Sequence, residues 1–172
     1  DMHVKELNPC RHLTLSWQND RLLRLTPLAE SDDGKSRITK FARHGQRRAH
    51  HKGALPNHAG WVLDQESFFK THEFQHSQAY FSCVTSATKH RQSIKMTLPE
   101  GLYLEIIFSG TFCDNAAKLS KRIEHFLQAN DLEPVGNIYI LPLENHWFSC
   151  DCEQYVNKVF LKVEDKDTTS LT

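Results

Sequence analysis

Residues 72–76 read His72-Glu73-Phe74-Gln75-His76, the HExxH spacing in which two histidines one helical turn apart hold zinc and the glutamate activates its water. The flanks do not suit that chemistry. Lys70 and Gln78 are polar where a buried zinc helix is apolar, and only Glu100 or Glu105 offers itself as a third ligand. His146, Cys150 and Cys152 form an H-x3-C-x-C cluster that could bind a soft metal with one further ligand. Four-ligand zinc sites use C-x2-C pairs, absent from this chain, so a polar hairpin loop is the better reading. The C-x-C pair also lacks the helix N-terminus that activates a thiol. Between Lys35 and Lys52 stand seven Lys/Arg, three His and no acid. Such a block can grip phosphates, but with Phe41 as its sole aromatic it reads better as a solvated helix face. Gly34-Lys35-Ser36 ends like a phosphate-binding loop, yet Ala29 stands where the first glycine is required. No Ser/His/Asp or Cys/His nucleophile pattern is present. The expectation is a non-catalytic chain with no metal and no cofactor.

The elements that must position any site are bounded by composition. The chain has 172 residues, 39% hydrophobic and 24% charged, with 21 basic residues against 21 acidic. That length suits one domain, or two small halves around a shared core. The charge balance argues against a dedicated nucleic-acid binder. No apolar run approaches the roughly 18 residues a bilayer span needs, and Asp1-Met2-His3-Val4-Lys5 has no signal-peptide character. Cys10, Cys83, Cys113, Cys150 and Cys152 make an odd count, which disfavours a disulfide framework. Cys83 and Cys113 sit in apolar stretches, where a thiol behaves as a small hydrophobe. These features predict a reducing, cytoplasmic setting.

Along the chain, 4–15 predicts an edge-like strand interrupted near Pro9. Residues 19–34, with Pro27 and the turn cluster Ser31-Asp32-Asp33-Gly34, allow at most a short helix. Ile38, Phe41 and Ala42 at helical spacing predict a helix over 36–50. Strands are predicted over 60–64 and 78–87, with a polar segment, 66–77, between them. Residues 93–109 read as a β stretch broken by the Pro99-Glu100-Gly101 turn. A helix over 114–130 follows, capped by Asp114 and striped by Ala116, Leu119, Ile123, Phe126 and Leu127. Strands over 137–143 and 154–164 precede a tail, 165–172, expected to fray. The order strand, helix, strand, strand occurs twice and predicts an α+β fold, a tandem β-α-β-β repeat whose two antiparallel sheets enclose a central cleft.

The runs LPEGLYLEIIFSG, NDLEPVGNIYILPL and EQYVNKVFLKVE, with VKELNPCRHLTL at the start, resemble the GyrI-like effector-binding domain. More narrowly they resemble the ligand-binding half of multidrug-responsive MerR-type regulators. The resemblance is carried by residues 93–164. It implies one domain over 1–164, with halves near 1–90 and 91–164, and an aromatic cleft for planar, hydrophobic, often cationic molecules. It places Tyr155 and Tyr139 in the pocket wall, and puts Ile140 where the family has a buried glutamate. That departure leaves the pocket either to a neutral ligand or to an acid borrowed from elsewhere, Glu105 or Glu144. Trp61, Tyr80, Tyr103 and Phe108 are further wall residues to weigh against plain core packing. The resemblance also implies a full-length homodimer that binds DNA through an N-terminal domain outside this sequence, no membrane partner, and control by ligand-shifted equilibrium. Alternatives are a GyrI-like hydrolase using Glu105 with Trp61 or Tyr155, a stand-alone drug-sequestering protein, and the zinc peptidase above.

Overall fold

The computed structural model describes residues 10–49, 59–71, 77–84, 94–110, 112–144 and 156–166. Eight strands form one antiparallel sheet in the order β1-β6-β8-β7-β3-β4-β2-β5. They are β1 (Cys10–Gln18), β2 (Arg21–Pro27), β3 (Gly60–Leu63), β4 (Ser77–Val84), β5 (Ile94–Leu98), β6 (Gly101–Ser109), β7 (Leu132–Glu144) and β8 (Val156–Asp165). Three helices accompany them: α1 (Gly34–Ala49), α2 (Gln65–Thr71) and α3 (Phe112–Ala129). The class is α+β, as the sequence predicts. The two expected sheets are the two halves of this one, joined where Trp61 and Val62 of β3 pair with Ile140 and Tyr139 of β7.

The strand order is a palindrome. Exchanging β1, β2, β3 and β4 for β5, β6, β7 and β8 reverses it, so each half opens with a strand that pairs in the other half's end of the sheet. Chain connectivity then dictates the shape. Asn19-Asp20 links β1, at one end of the order, to β2, next to last at the other. Pro99-Glu100 links β5 to β6 in the same way. Two residues reach only about 10 Å, so the sheet curls until its ends meet. There Glu100 accepts from Trp17 Nε1 at 3.1 Å and donates its backbone N–H to Asp20.

Curling gives the sheet an outer face that carries the helices and an inner face that looks at itself. On the outer face, Ala116, Leu119, Ile123 and Leu127 of α3 pack on Leu104, Ile106, Ile138, Ile140, Val159 and Leu161, all buried. The predicted apolar stripe is therefore the seat of that helix, with Phe126 half-buried beside it. Helix α3 begins at Phe112, so Asp114 lies in its first turn rather than at its cap. Strand β7 starts five residues before the predicted 137. Its register slips by two residues between Val135 and Tyr139, where Gly136 takes φ 77°, a conformation that favours glycine.

The first half differs more from expectation. β2 is a strand where at most a short helix was expected: Arg21 and Arg24 interrupt its apolar alternation, and that hid the period. α1 forms, capped by Asp33, whose Oδ1 accepts the Ser36 N–H at 2.8 Å. Its expected apolar stripe points outward, however, with Ile38 72% and Phe41 41% exposed. Among the helix residues whose burial is described, the buried one is His44. α2 occupies much of the predicted polar connection; Asp64 starts it by accepting the Ser67 N–H at 2.9 Å. Asp165 pairs with Leu132 at the end of β8, so the tail is ordered at least that far. Pro9, His72, His76, His146, Cys150, Cys152 and Tyr155 lie outside the described residues. The side chains of Glu144 and Cys113 are likewise not described.

Candidate functional site on the inner face

Strand pleating decides which side chains share the inner face. On β6 it takes Tyr103 and Glu105, on β7 Tyr139, on β8 Phe160, on β4 Phe81 and Cys83, and on β2 Arg21 and Leu23. Tyr139 and Phe160 are directly opposed across β7 and β8, and their rings stack at 5.1 Å with planes 9° apart. Phe81 meets both edge-on, at 5.5 Å and 6.0 Å between centroids, the offset geometry that ring quadrupoles favour. Gly60 makes room for this cluster. A Cβ there would collide with the Phe81 ring and the Ile140 carbonyl oxygen.

Arg21 crosses from β2 to the opposite strands. Its guanidinium carbon lies 5.0 Å from the centre of the Tyr103 ring and 4.8 Å from that of Phe160. Tyr103 is fixed by its hydroxyl, which donates to the Pro99 carbonyl at 2.6 Å. Glu105 is paired with Lys158 at 3.3 Å, and Lys162 with Glu164 at 3.6 Å. Burial pushes the Tyr139 hydroxyl up to about 12, and the neighbouring Tyr103 adds to the shift. Burial also raises Tyr103 and the Cys83 thiol, with Arg21 pulling each part of the way back. All three groups are neutral at physiological pH.

The proposed wall residues therefore divide. Tyr103, Glu105 and Tyr139 come together on the inner face. Ile140, Trp61 and Phe108 face outward into the core beneath α3. Tyr80 also faces outward, under α1, where its ring meets Phe41 edge-on at 5.2 Å and its hydroxyl donates to the Arg37 carbonyl at 3.2 Å. Since Ile140 points away from Tyr139, a carboxylate at that position of this strand would not face the aromatic cluster. Sequence reasoning missed Arg21, Phe81 and Phe160. Phe160 stands between Lys158 and Lys162 on the face of β8 that reads as polar, and Phe81 read only as part of an apolar strand; Arg21 was lost with β2. Among the described residues no group of three or more His, Cys, Asp or Glu is placed to hold a metal ion. No described helix is long and apolar enough to cross a membrane.

This geometry can be set beside known proteins. No family model matches the chain, and no curated protein matches it in sequence. Solved structures do share its fold. The crystal structure of the EcmrR C-terminal domain superposes with a TM-score of 0.68 at 11% identity, over 90% of this chain and 98% of that one. In the EcmrR–DNA complex the TM-score is 0.69 at 13% identity, and 95% of this chain spans 62% of the EcmrR chain. SAV2435, solved with tetraphenylphosphonium bound, gives 0.53 at 12% identity over 89% of this chain and 94% of its own. A hydrolase from Listeria innocua gives 0.62 at 10% identity over 95% of this chain and 97% of its own. The chain thus shares the fold of the EcmrR C-terminal domain, in line with the architecture that the sequence resemblance to GyrI-like domains implies.

Proposed function

We propose that residues 1–164 form the effector-binding domain of a cytoplasmic, MerR-type transcriptional regulator. In this reading a planar hydrophobic molecule binds against the inner-face aromatics and shifts the DNA affinity of a domain elsewhere in a homodimeric protein. The observation that carries it is the fold match to the EcmrR C-terminal domain over nearly the whole of both chains. The Tyr139–Phe160–Phe81 cluster supports it, because stacked rings bury a planar ligand without demanding one hydrogen-bond pattern. Tyr155 enters this reading on the strength of the family resemblance alone, and Glu105 is paired with Lys158 rather than serving as a free acid.

The test is thermal-shift screening against cationic, neutral and anionic aromatic compounds, each with and without zinc and a chelator. Stabilisation by particular aromatics that ignores the chelator, and that weakens in Tyr155→Ala without loss of fold, is the expected result. No stabilisation across the panel contradicts it. Stabilisation by zinc alone moves the function to His72, Glu73 and His76. A second reading, hydrolysis, draws on the Listeria innocua hydrolase of the same fold and on the inner-face position of Glu105. Turnover of an ester or epoxide panel, abolished in Glu105→Gln, would favour it.

A further inference from the structure

Among the described residues the inner face holds three cations, and two are matched. Lys158 has Glu105 and Lys162 has Glu164. Arg21 enters no ion pair among the described residues. Its Nε and Nη2 are buried and meet no hydrogen-bond acceptor among the described residues. Those two nitrogens share one edge of the guanidinium, and their N–H bonds run parallel. That is the edge that takes a carboxylate with two bonds. A buried charge with idle donors is costly to keep, so an acceptor at that edge would bind with a large gain over water.

We propose that the ligand of the inner face is a planar organic anion, an aromatic carboxylate, held side-on by Nε and Nη2 of Arg21 where its guanidinium covers Tyr103 and Phe160. The proposal rests on the inner face being the ligand site, and it specifies what that site takes. Arg21 already occupies the ring faces that an aromatic cage would offer a cation. A cationic ligand would also meet Arg21 and Lys158, while Glu105 is engaged by Lys158 and Ile140 points away. Burial keeps the Cys83 thiol and the Tyr103 and Tyr139 hydroxyls protonated, so none of these three neutralises Arg21. The chemistry of the inner face is therefore opposite to that of a cation trap.

The experiment is titration calorimetry of the full chain with 2-naphthoate, with its neutral isostere 2-naphthamide, and with tetraphenylphosphonium. The wild-type protein is expected to bind 2-naphthoate at least roughly tenfold more tightly than the amide. Arg21→Met should erase that preference. Arg21→Lys keeps the charge without the fork and should retain only part of the preference. Equal affinity for acid and amide, tighter binding of tetraphenylphosphonium than of 2-naphthoate, or a carboxylate preference that survives Arg21→Met would overturn the proposal while leaving the inner-face site standing. Failure of all three compounds to bind would overturn both. If Arg21→Met does not fold, the wild-type ranking and Arg21→Lys decide the matter.

Discussion

Helix α3 and helix α1 occupy equivalent places in the palindromic strand order, yet the sheet seats them by different chemistry. α3 lies on a dry apolar surface through Ala116, Leu119, Ile123 and Leu127. α1 lies on polar side chains beside the Phe41–Tyr80 ring contact. His44, 1% exposed, sits between the hydroxyls of Thr26 and Ser82, each 2.7 Å from one of its ring nitrogens. Arg24, also buried, donates to the His44 carbonyl at 2.7 Å. Apolar burial is non-directional and scales with area, whereas a buried hydrogen bond gains only about 1 kcal/mol and is costly to break. The α3 seat thus supplies stability to the whole fold, and the α1 seat supplies orientation.

The sharpest way to break this comparison is to hollow out one seat at a time. Ile123→Ala should cost about 2–5 kcal/mol in global unfolding free energy, read by denaturant titration. His44→Ala should cost about 1–3 kcal/mol, since it strands the Thr26 and Ser82 hydroxyls. Its signature should be local, with amides of α1 exchanging faster while those of α3 keep their protection. On the same helix Ile38→Ser, at the exposed position, should stay within about 0.5 kcal/mol of wild type. An Ile38→Ser effect as large as that of His44→Ala would mean that α1 is seated by its apolar stripe after all.

Titration sharpens the contrast further. The folded-state value of Tyr139 lies above its usual 10.0, near 12, so the unfolded chain loses that proton first as pH rises. Stability should therefore hold below pH 10 and fall by roughly 1–2 kcal/mol between pH 10 and 12; tyrosinate absorbance followed alongside thermal melting checks this. Asp32, before α1, behaves in the opposite sense. The hydrogen bond from Lys40, then those from Ser36 and the Ala29 N–H, hold its carboxyl well below the usual 3.8. Its contribution is present above pH 3.8 and is lost as pH falls through the depressed value. That loss is the smallest effect expected, screened by solvent, and Asp32→Asn should remove it from an acid titration of α1 helicity.

The same difference between seats explains what the sequence made legible. The α3 half could be read because its stripe repeats at helical spacing and Pro99-Glu100-Gly101 marks the turn between β5 and β6. In the α1 half the helix and strands β3 and β4 could be read too, but β2 and the seat of α1 could not, because the buried residues there include Arg24, His44 and Ser82, which pattern reading assigns to solvent. Missing β2 cost the site its arginine. Tyr103, Glu105 and Tyr139 were within reach as aromatic and acidic residues on predicted strands. Which face they shared was not, since apolar residues line both sides of β6 and β7. The stacking of Arg21 on Tyr103 and Phe160 joins residues from three strands distant in sequence. No spacing rule carries a contact of that kind.

Tyr80 lies on the outer face and Tyr103 and Tyr139 on the inner one, and this division offers the most direct test of where ligand binds. Assigned tyrosine ring resonances should be followed by NMR during titration with 2-naphthoate and, separately, with tetraphenylphosphonium. The inner-face account predicts that whichever compound binds moves Tyr103 and Tyr139 and leaves Tyr80 in place. Shifts at Tyr80 alone, or no shifts at Tyr103 and Tyr139 with either compound, would contradict it.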